Sequence, residues 1–510
     1  MARAALALAA LLVLLPPGGA AAEPSPSDRF QDTRGHWRPF RESYDAWFSA
    51  ARREPRYLRA AGESVVLVGI GTAYYWVDPL ANRTDWDFPT LGAKLRFEAV
   101  RFDNNLHTTN HLLHPLAGAA VYGFSRINGL EPWEAFGYAA LSSIVWEYGL
   151  EFREQVSIND LVFTPFGGIA AGEFLVQLGD YLNSAPGGGG FGNRLAAATL
   201  GLPRNMHDAL DDPRDPLELP ADSLGFSSAY WHRFLVGYQL STLGNDREHT
   251  GTLHGARIEA ELAAMPGFLR PGRFSRAFAS GNFVEMRMLA GFGPSGIADV
   301  DLAFDACIAG LYQQDFGGGT GQATLLGVSS GLRFSDRRLL GRFDRFGIVH
   351  LLGPKLAWWL GAGELLARID WSVHGDFAGI HPMALDRWRE NNPPGGIRSV
   401  LTRQRYGYAA GFSTRFSSAL ELRGLAAGTR LAYGRYDSIQ GLDREQPDVT
   451  YDVPAHDEMI ELEVFAGYTS REAPVSLQLS TSELRRDGTM GSERVAAYDR
   501  RLSLTLGLAF

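Results

Sequence analysis

The last ten residues, Arg501 to Phe510, constrain the fold more than any other stretch. They read RLSLTLGLAF. Leu502, Leu504, Leu506, Leu508 and Phe510 fall on one side of an extended chain, and Arg501, Ser503, Thr505, Gly507 and Ala509 on the other. Successive side chains of a strand point to opposite faces, so this is a strand with one apolar face. In water such a strand with an open edge invites aggregation. A membrane barrel removes the difficulty, because its last strand pairs with its first and its outer face must be apolar.

The same period recurs from Trp231 onward. Phe234, Val236, Tyr238 and Leu240 alternate with Arg233, Gly237, Gln239 and Ser241. Ala256, Ile258, Ala260 and Leu262 alternate with Arg257, Glu259 and Glu261, and Val300 to Ile308 alternate with Asp301, Asp305 and Cys307. Read this way, 231–510 holds about twelve strands, each near the ten or so residues that a tilted membrane strand needs. Long connections at 377–403 and 435–457 alternate with short ones at Ser417-Ser418 and 470–473, as outer loops alternate with inner turns. Pro266 to Ser280 is longer than this scheme asks. The terminal Phe510 also resembles the signal that outer-membrane barrels present to their assembly machinery.

Upstream the pattern changes. Residues 1–22 carry Arg3, an apolar run from Ala4 to Leu15 and a small-residue site at Ala20-Ala21-Ala22, which predicts a cleaved secretory signal and export to the outer membrane. Residues 23–183 are expected to form a small helical domain in the periplasm that caps or partly plugs the barrel. Helices are expected over 41–53, 56–77, 112–127, 132–154 and 166–182, with turns at 129–132 and 157–165 and a weak strand within 91–104. No run after the signal reads as a full membrane-spanning helix. Arg126, Glu134, Glu147, Glu151 and Glu173 read as too many charges for lipid-facing spans. Residues 184–230, rich in Gly, Asp and Pro, read as a flexible linker. The fold class expected is therefore α+β, a helical domain followed by an antiparallel transmembrane β-barrel.

A net charge of −9 spread along 510 residues gives no basic patch, which excludes a nucleic-acid binder. Cys307 is the sole cysteine, so no internal disulfide exists.

Asn110, His114-Pro115, Gly118, Arg126, Gly129, Ser143, Trp146-Glu147, Glu151, Ser157, Asn159-Asp160, Gly168 and Gly172-Glu173 form a pattern that resembles an uncharacterised family of bacterial exported proteins, a domain of unknown function. A fainter likeness is to VanZ-like helical membrane proteins. Neither resemblance implies a reaction, a cofactor or catalytic residues.

From the residues themselves, His111 and His114 share one helical face, and Glu147 and Glu151 another. If the first two helices of the bundle are antiparallel, His114 meets Glu151. His114, Glu147 and Glu151 are then candidates for acid–base chemistry, and His111, His114, Glu147 and Glu151 for a metal site. The structural alternative pairs Arg126 with Glu147 or Glu151. His232, His254, His350 and His374 are expected to be lumen-facing polar residues of the barrel. Three functions follow: a channel or scaffold contacting outer-membrane lipid and a periplasmic protein; an envelope lipid- or glycan-modifying enzyme; or a surface binder anchored by Trp388 with Arg387 and Arg389.

Overall fold

Twelve strands close on themselves through a hydrogen-bonded seam between the first and the last. The computed structural model describes residues 54–77, 86–211, 221–293, 296–317, 319–392, 400–443 and 453–510. The expected signal segment and the helix at 41–53 lie outside the described residues.

The helices are α1 (Tyr57–Val77), α2 (Leu91–Leu95), α3 (His114–Ile127), α4 (Pro132–Val145), α5 (Ile158–Leu182), α6 (Phe191–Thr199), α7 (Leu202–Asp211), α8 (Leu385–Asn391) and α9 (Val400–Gln404). A π-helical turn, Thr109–Leu113, leads into α3, and another, Trp146–Leu150, ends α4. Short strands β1 (Val100–Arg101) and β2 (Val156–Ser157) pair in parallel. The barrel strands are β3 (Trp231–Asn245), β4 (Thr250–Ala263), β6 (Phe283–Gly293), β7 (Gly296–Gly317), β8 (Thr320–Leu339), β9 (Arg342–Ala362), β10 (Leu365–Ile380), β11 (Gly407–Leu422), β12 (Leu425–Ser438), β13 (Ala455–Thr469), β14 (Val475–Met490) and β15 (Glu493–Ala509). A further strand, β5 (Gly272–Phe278), adds to β7 and accounts for the long connection after β4. All barrel neighbours are antiparallel, and β15 on β3 closes the ring, with Leu504 opposite Leu240 and Leu508 opposite Val236. Phe234 and Phe510 complete the seam with two N–H to carbonyl bonds of 2.9 Å.

The alternation sorts the two faces. Arg257, Glu259, Glu261, Asp301, Asp305, Arg333, Lys355, Arg368, Arg430 and Glu463 point inward and line a cavity of about 240 Å³. Their neighbours point outward. On β11 to β15 those are exposed: Phe416, Leu420, Leu431, Leu462, Val464, Leu477, Leu504 and Leu506.

On the other side of the barrel the outward residues are buried. Phe234, Val236, Ile258, Ala260, Met286, Phe304, Leu332, Val349, Phe377 and Tyr408 form one cluster with Tyr122, Phe163, Phe174 and Tyr181 of the helices. The helical region therefore lies along the outer wall of the barrel. It neither caps nor plugs it, which corrects the expectation. The expectation failed because the wall is equally apolar on both sides of the barrel, so the alternation carries no sign of a helix resting on it. α5 packs directly on β6 to β9, α3 and α4 pack on α5, and α1 packs on α3 and α4.

Other boundaries differ from the sequence reading. α5 begins at Ile158, with the Ser157 hydroxyl accepting from the Asp160 N–H, and carries Pro165 inside it. The expected turn at 157–165 is thus helix, and α5 is long and apolar enough to cross a membrane. Residues 91–104 hold α2 and β1 in place of a longer strand. The expected linker holds α6 and α7, and α7 is tied back to α1 where Arg59 meets Asp211 at 2.6 Å. Ser417 and Ser418 lie within β11, and the turn falls at Arg423-Gly424.

Close approach sets where the helices sit. A Cβ on Gly118 would lie 1.9 Å from the Thr164 carbonyl oxygen, and one on Gly168 2.8 Å from the Gly118 backbone. Against the barrel, His111 fills a notch made by the paired Gly347 and Gly379, where an added Cβ would come within 2.2 and 1.8 Å of it. Overfilling a packed site costs about 1–3 kcal/mol. Gly379→Val is expected to release the helices from the wall, read as faster proteolysis of 57–211, while the barrel strands stay protected.

Candidate functional site

Two polar clusters join the helices to each other and to the barrel. The first lies at the ends of β10 and β11 farthest from the seam residues Phe234 and Phe510. There the π turn before α3 carries Asn110, whose amide reaches the Asp103 carboxylate and the hydroxyls of Tyr406 (3.0 Å) and Tyr408 (2.8 Å). Asn159 holds Asp103 from the other side: its amide donates to Asp103 Oδ1 at 3.1 Å and its oxygen accepts the Asp103 N–H at 3.0 Å. The Ser143 hydroxyl donates to the Asp160 carbonyl at 3.0 Å, tying α4 to α5. Lys94, buried, donates to the carbonyls of Glu147 (2.7 Å) and Glu151 (2.9 Å) and so satisfies the frayed end of the π turn after α4.

Of the residues singled out from sequence, His114, Glu147 and Glu151 come into one neighbourhood. His114 Nε2 stands 3.8 Å from Asp160 Oδ2. Glu147 Oε2 accepts the Ser157 N–H at 2.6 Å, and its second oxygen is buried with no protein partner. Glu151 sits in the turn after α4, where burial first, then Glu154 and Asp160, push its carboxyl up to about 8. His111 does not join them. Its Nδ1 lies 2.9 Å from the His107 carbonyl, and its ring packs between Phe163, Tyr406 and the barrel glycines. The four-residue metal set is accordingly not assembled, and among the described residues no three His, Cys, Asp or Glu side chains converge as a metal requires. The reason is helical phase. His111 lies in the π turn and His114 opens α3, so the extra residue in that turn sends the two rings to different sides.

The second cluster lies at the opposite end of α3. Arg126 pairs with Glu173 (2.9 Å), and not with Glu147 or Glu151 as the alternative had it. Arg126 is about 18 Å along the helix from His114, given 1.5 Å per residue. The Tyr122 hydroxyl donates to Glu173 at 2.5 Å and the Gln177 amide at 2.8 Å. Arg126 and Gln177 both donate to the Ser280 carbonyl at 3.1 Å, which fastens the bundle to the connection between β5 and β6. Gly281, at φ 64°, lies against the Glu173 carboxyl where any Cβ would collide.

Inside the barrel, ion pairs fill the lumen: along the wall Lys355 meets Asp305 two strands away (2.6 Å) and Arg430 meets Glu463 on the next strand (2.8 Å), while Arg368 to Glu261 (2.5 Å), Arg333 to Glu461 (2.6 Å) and Arg501 to Asp299 (2.5 Å) join strands far apart in the ring. At the seam end, Met265 and Phe268 fold inward and pack with Tyr312 and Trp359 inside the bore. At the far end Phe346, Ile348, Ile380, Tyr436 and Met459 make an apolar layer. Above it Trp388 packs with Leu385 and Met490. Trp388 is only 7% exposed, which removes it as a surface anchor. His350 and His374 face the lumen, bonded to Asp376 (2.7 Å) and Ser329 (3.0 Å). His232 and His254 share the outward register of Phe234 and Leu240, contrary to expectation, and meet Tyr181 and Tyr238.

Sequence reasoning missed Asp103, Tyr406 and Tyr408. Asn110 and Tyr406 are 296 residues apart, and no local pattern joins them.

Residues 99–201 match the family model of a domain of unknown function, DUF3943. The match covers α3 to α6, including α5, which rests on the barrel. The VanZ-like resemblance gains no support from it. No curated protein matches the chain. Among solved structures, the outer membrane protein OpdK from Pseudomonas aeruginosa is 9% identical, covering 55% of this chain and 99% of its own, with a TM-score of 0.18. OprD from the same organism gives 9%, 55%, 95% and 0.20. The translocator domain of the autotransporter NalP from Neisseria meningitidis gives 10%, 54%, 87% and 0.18. At these scores nothing about function passes from them to this chain.

The Glu151 environment makes a pH prediction. A carboxyl held protonated to about 8 in the folded state, against about 4.3 for a free Glu, binds more protons folded than unfolded. Its contribution is complete below the free value and is lost as pH rises through 8. His107, His111 and His114, held low by burial, give the opposite slope up to the free histidine value of about 6.5. Above it, from about pH 7 to 9, the helical layer is expected to become easier to unfold by denaturant, and Glu151→Gln to flatten that slope.

Proposed function

We propose that this chain, with its DUF3943 domain, is an outer-membrane barrel that serves as a closed scaffold for its helical layer, and that it is not an open pore. The observation that carries this reading is the bore. Cations and carboxylates of the lumen neutralise one another at 2.5–2.8 Å, and the ring of Phe268 against Tyr312 and Trp359 blocks the seam end. An ion crossing such a lumen must break charge pairs and pass two apolar layers, both costly in a low dielectric. Outer-membrane placement is supported by the apolar exterior and the seam that leaves no free edge. On this reading the N-terminal segment is a cleaved signal, the last strand is what the barrel assembly machinery binds, and the seam end faces the periplasm, where α6 and α7 are placed to meet a protein partner.

Planar-bilayer recording tests it. The wild-type protein is expected to give no steady conductance, and Phe268→Ala with Trp359→Ala to give intermittent openings. Steady ohmic channels from the wild type would overturn the scaffold reading in favour of a channel.

The envelope-enzyme reading keeps one specific support. His114 is partly exposed, stands 3.8 Å from Asp160 and lies within electrostatic reach of Glu151, whose carboxyl is pushed up to about 8, which together place a base and an acid in one neighbourhood. Glu147 is then a positioning residue, since its Oε2 holds the Ser157 N–H that begins α5. If the reading holds, His114→Ala and Glu151→Gln each fail to rescue an envelope phenotype of the deletion strain while protein levels and protease resistance stay at wild-type values. Full complementation by both variants would remove it.

A further inference from the structure

We infer that the helical layer lies inside the bilayer, with its inner face on the barrel wall and the outer faces of α1 and α4 in contact with lipid acyl chains. The inference rests on the reading of the barrel as membrane-spanning.

Four observations meet. First, the wall beneath α5 is the same outward, apolar face that β11 to β15 leave exposed, so the covered and uncovered parts form one continuous band. A soluble domain docked at the membrane surface would not reach that band.

Second, the helices run the height of the wall and reverse at its ends. α1 starts where the Arg56 N–H donates to the Asn128 carbonyl (2.9 Å) and ends where Tyr75 meets Glu154. The π turn before α3 sits at Gly347 and Gly379, near the far end of the wall, while Arg126 near the close of α3 reaches Ser280 beside the seam end. α5 returns from Phe377 at Phe163 to Phe234 at Tyr181. At 1.5 Å per residue α1 is about 31 Å long and α5 about 37 Å, against about 30 Å of hydrocarbon.

Third, charge is kept to the ends. Ser64 to Val77, Pro115 to Ser125, Ala135 to Trp146 and Leu161 to Gly172 contain no Asp, Glu, Lys or Arg. Glu173, nearer the middle of α5, is fully buried against Arg126 and Tyr122. The charges that argued against lipid-facing spans are thus terminal or paired inside.

Fourth, the outermost surface is apolar where a soluble bundle would be polar. Val65 is 70% exposed, Val66 61%, Ile70 63% and Tyr74 71%, and on α4 Trp133, Leu141, Ile144 and Val145 are exposed as well. Polar and charged residues normally cover the outward face of a soluble helix, whereas an all-round apolar helix belongs in a membrane or core.

Single cysteines at Val66, Ile70 and Leu141 of the full chain, carrying nitroxide labels, test this in phosphatidylethanolamine–phosphatidylglycerol liposomes. Leu462 and Leu504 on the bare barrel wall and Glu472 in a turn are the references; Cys307 is fully buried and does not compete. Collision with oxygen against a nickel chelate reports lipid or water. The expected result is that Val66, Ile70 and Leu141 shift to the oxygen-favoured values of Leu462 and Leu504. Water-like values at the helix positions with lipid-like values on the barrel overturn this inference and leave the barrel reading standing. Water-like values at Leu462 and Leu504 overturn both. The labelled side chains are exposed, so labelling leaves the packing undisturbed, and native proteolysis patterns check that.

Discussion

Closure of β15 on β3 is the constraint from which the rest follows. A sheet with a free edge leaves a row of unpaired N–H and C=O groups, and hydrocarbon offers them no partner. The seam from Leu235 and Ala509 to Asn245 and Asp499 pairs that row. Once the ring is closed, each strand has a fixed inside and outside, so a charged residue two positions from another charged residue shares the lumen with it. The cross-lumen pairs of Arg368 with Glu261 and Arg333 with Glu461 exist only because closure brings distant strands face to face across a narrow bore.

The helical layer depends on the barrel in turn. α5 has almost no polar face of its own, with Phe163, Ile169, Phe174, Leu178 and Tyr181 all buried. It gains a partner in the outward residues of β6 to β9. Small residues let this happen at short range: Gly118 and Gly168 let α3 and α5 touch backbone to backbone, and Gly347 and Gly379 admit His111 into the wall. Such glycine contacts recur where helices pack without a hydrophobic driving force between them. The two polar clusters then fix the layer at its ends, Asn110 on Tyr406 and Tyr408 at one, Arg126 and Gln177 on Ser280 at the other.

Legibility in the sequence followed the range of the interaction. Strand alternation and helical periodicity are local and legible: about twelve strands, the helix expected at 56–77 and found at Tyr57–Val77, and the turn at Gly129 to Pro132 all appear in the structure. The start of α5 was misread because Pro165 looks like a stop, yet the Ser157 cap begins the helix eight residues earlier. The site was half legible. Glu147 and Glu151 near His114 follow from antiparallel helices, but the π turn rotates His111 out of the set, and no spacing rule reports a π turn.

The sequence alone determined that this chain makes a closed barrel with a charged interior and an apolar exterior, preceded by helices, because period two and period 3.6 are properties of neighbouring residues. Tertiary structure decided where the helices go. An outward face that meets lipid and one that meets a helix are both apolar, so Leu504 and Phe304 look alike in sequence although one is exposed and the other buried under Phe174. It also decided what packs inside the bore, since whether a loop such as Met265 to Phe268 folds inward depends on Tyr312 and Trp359 waiting there, far along the chain.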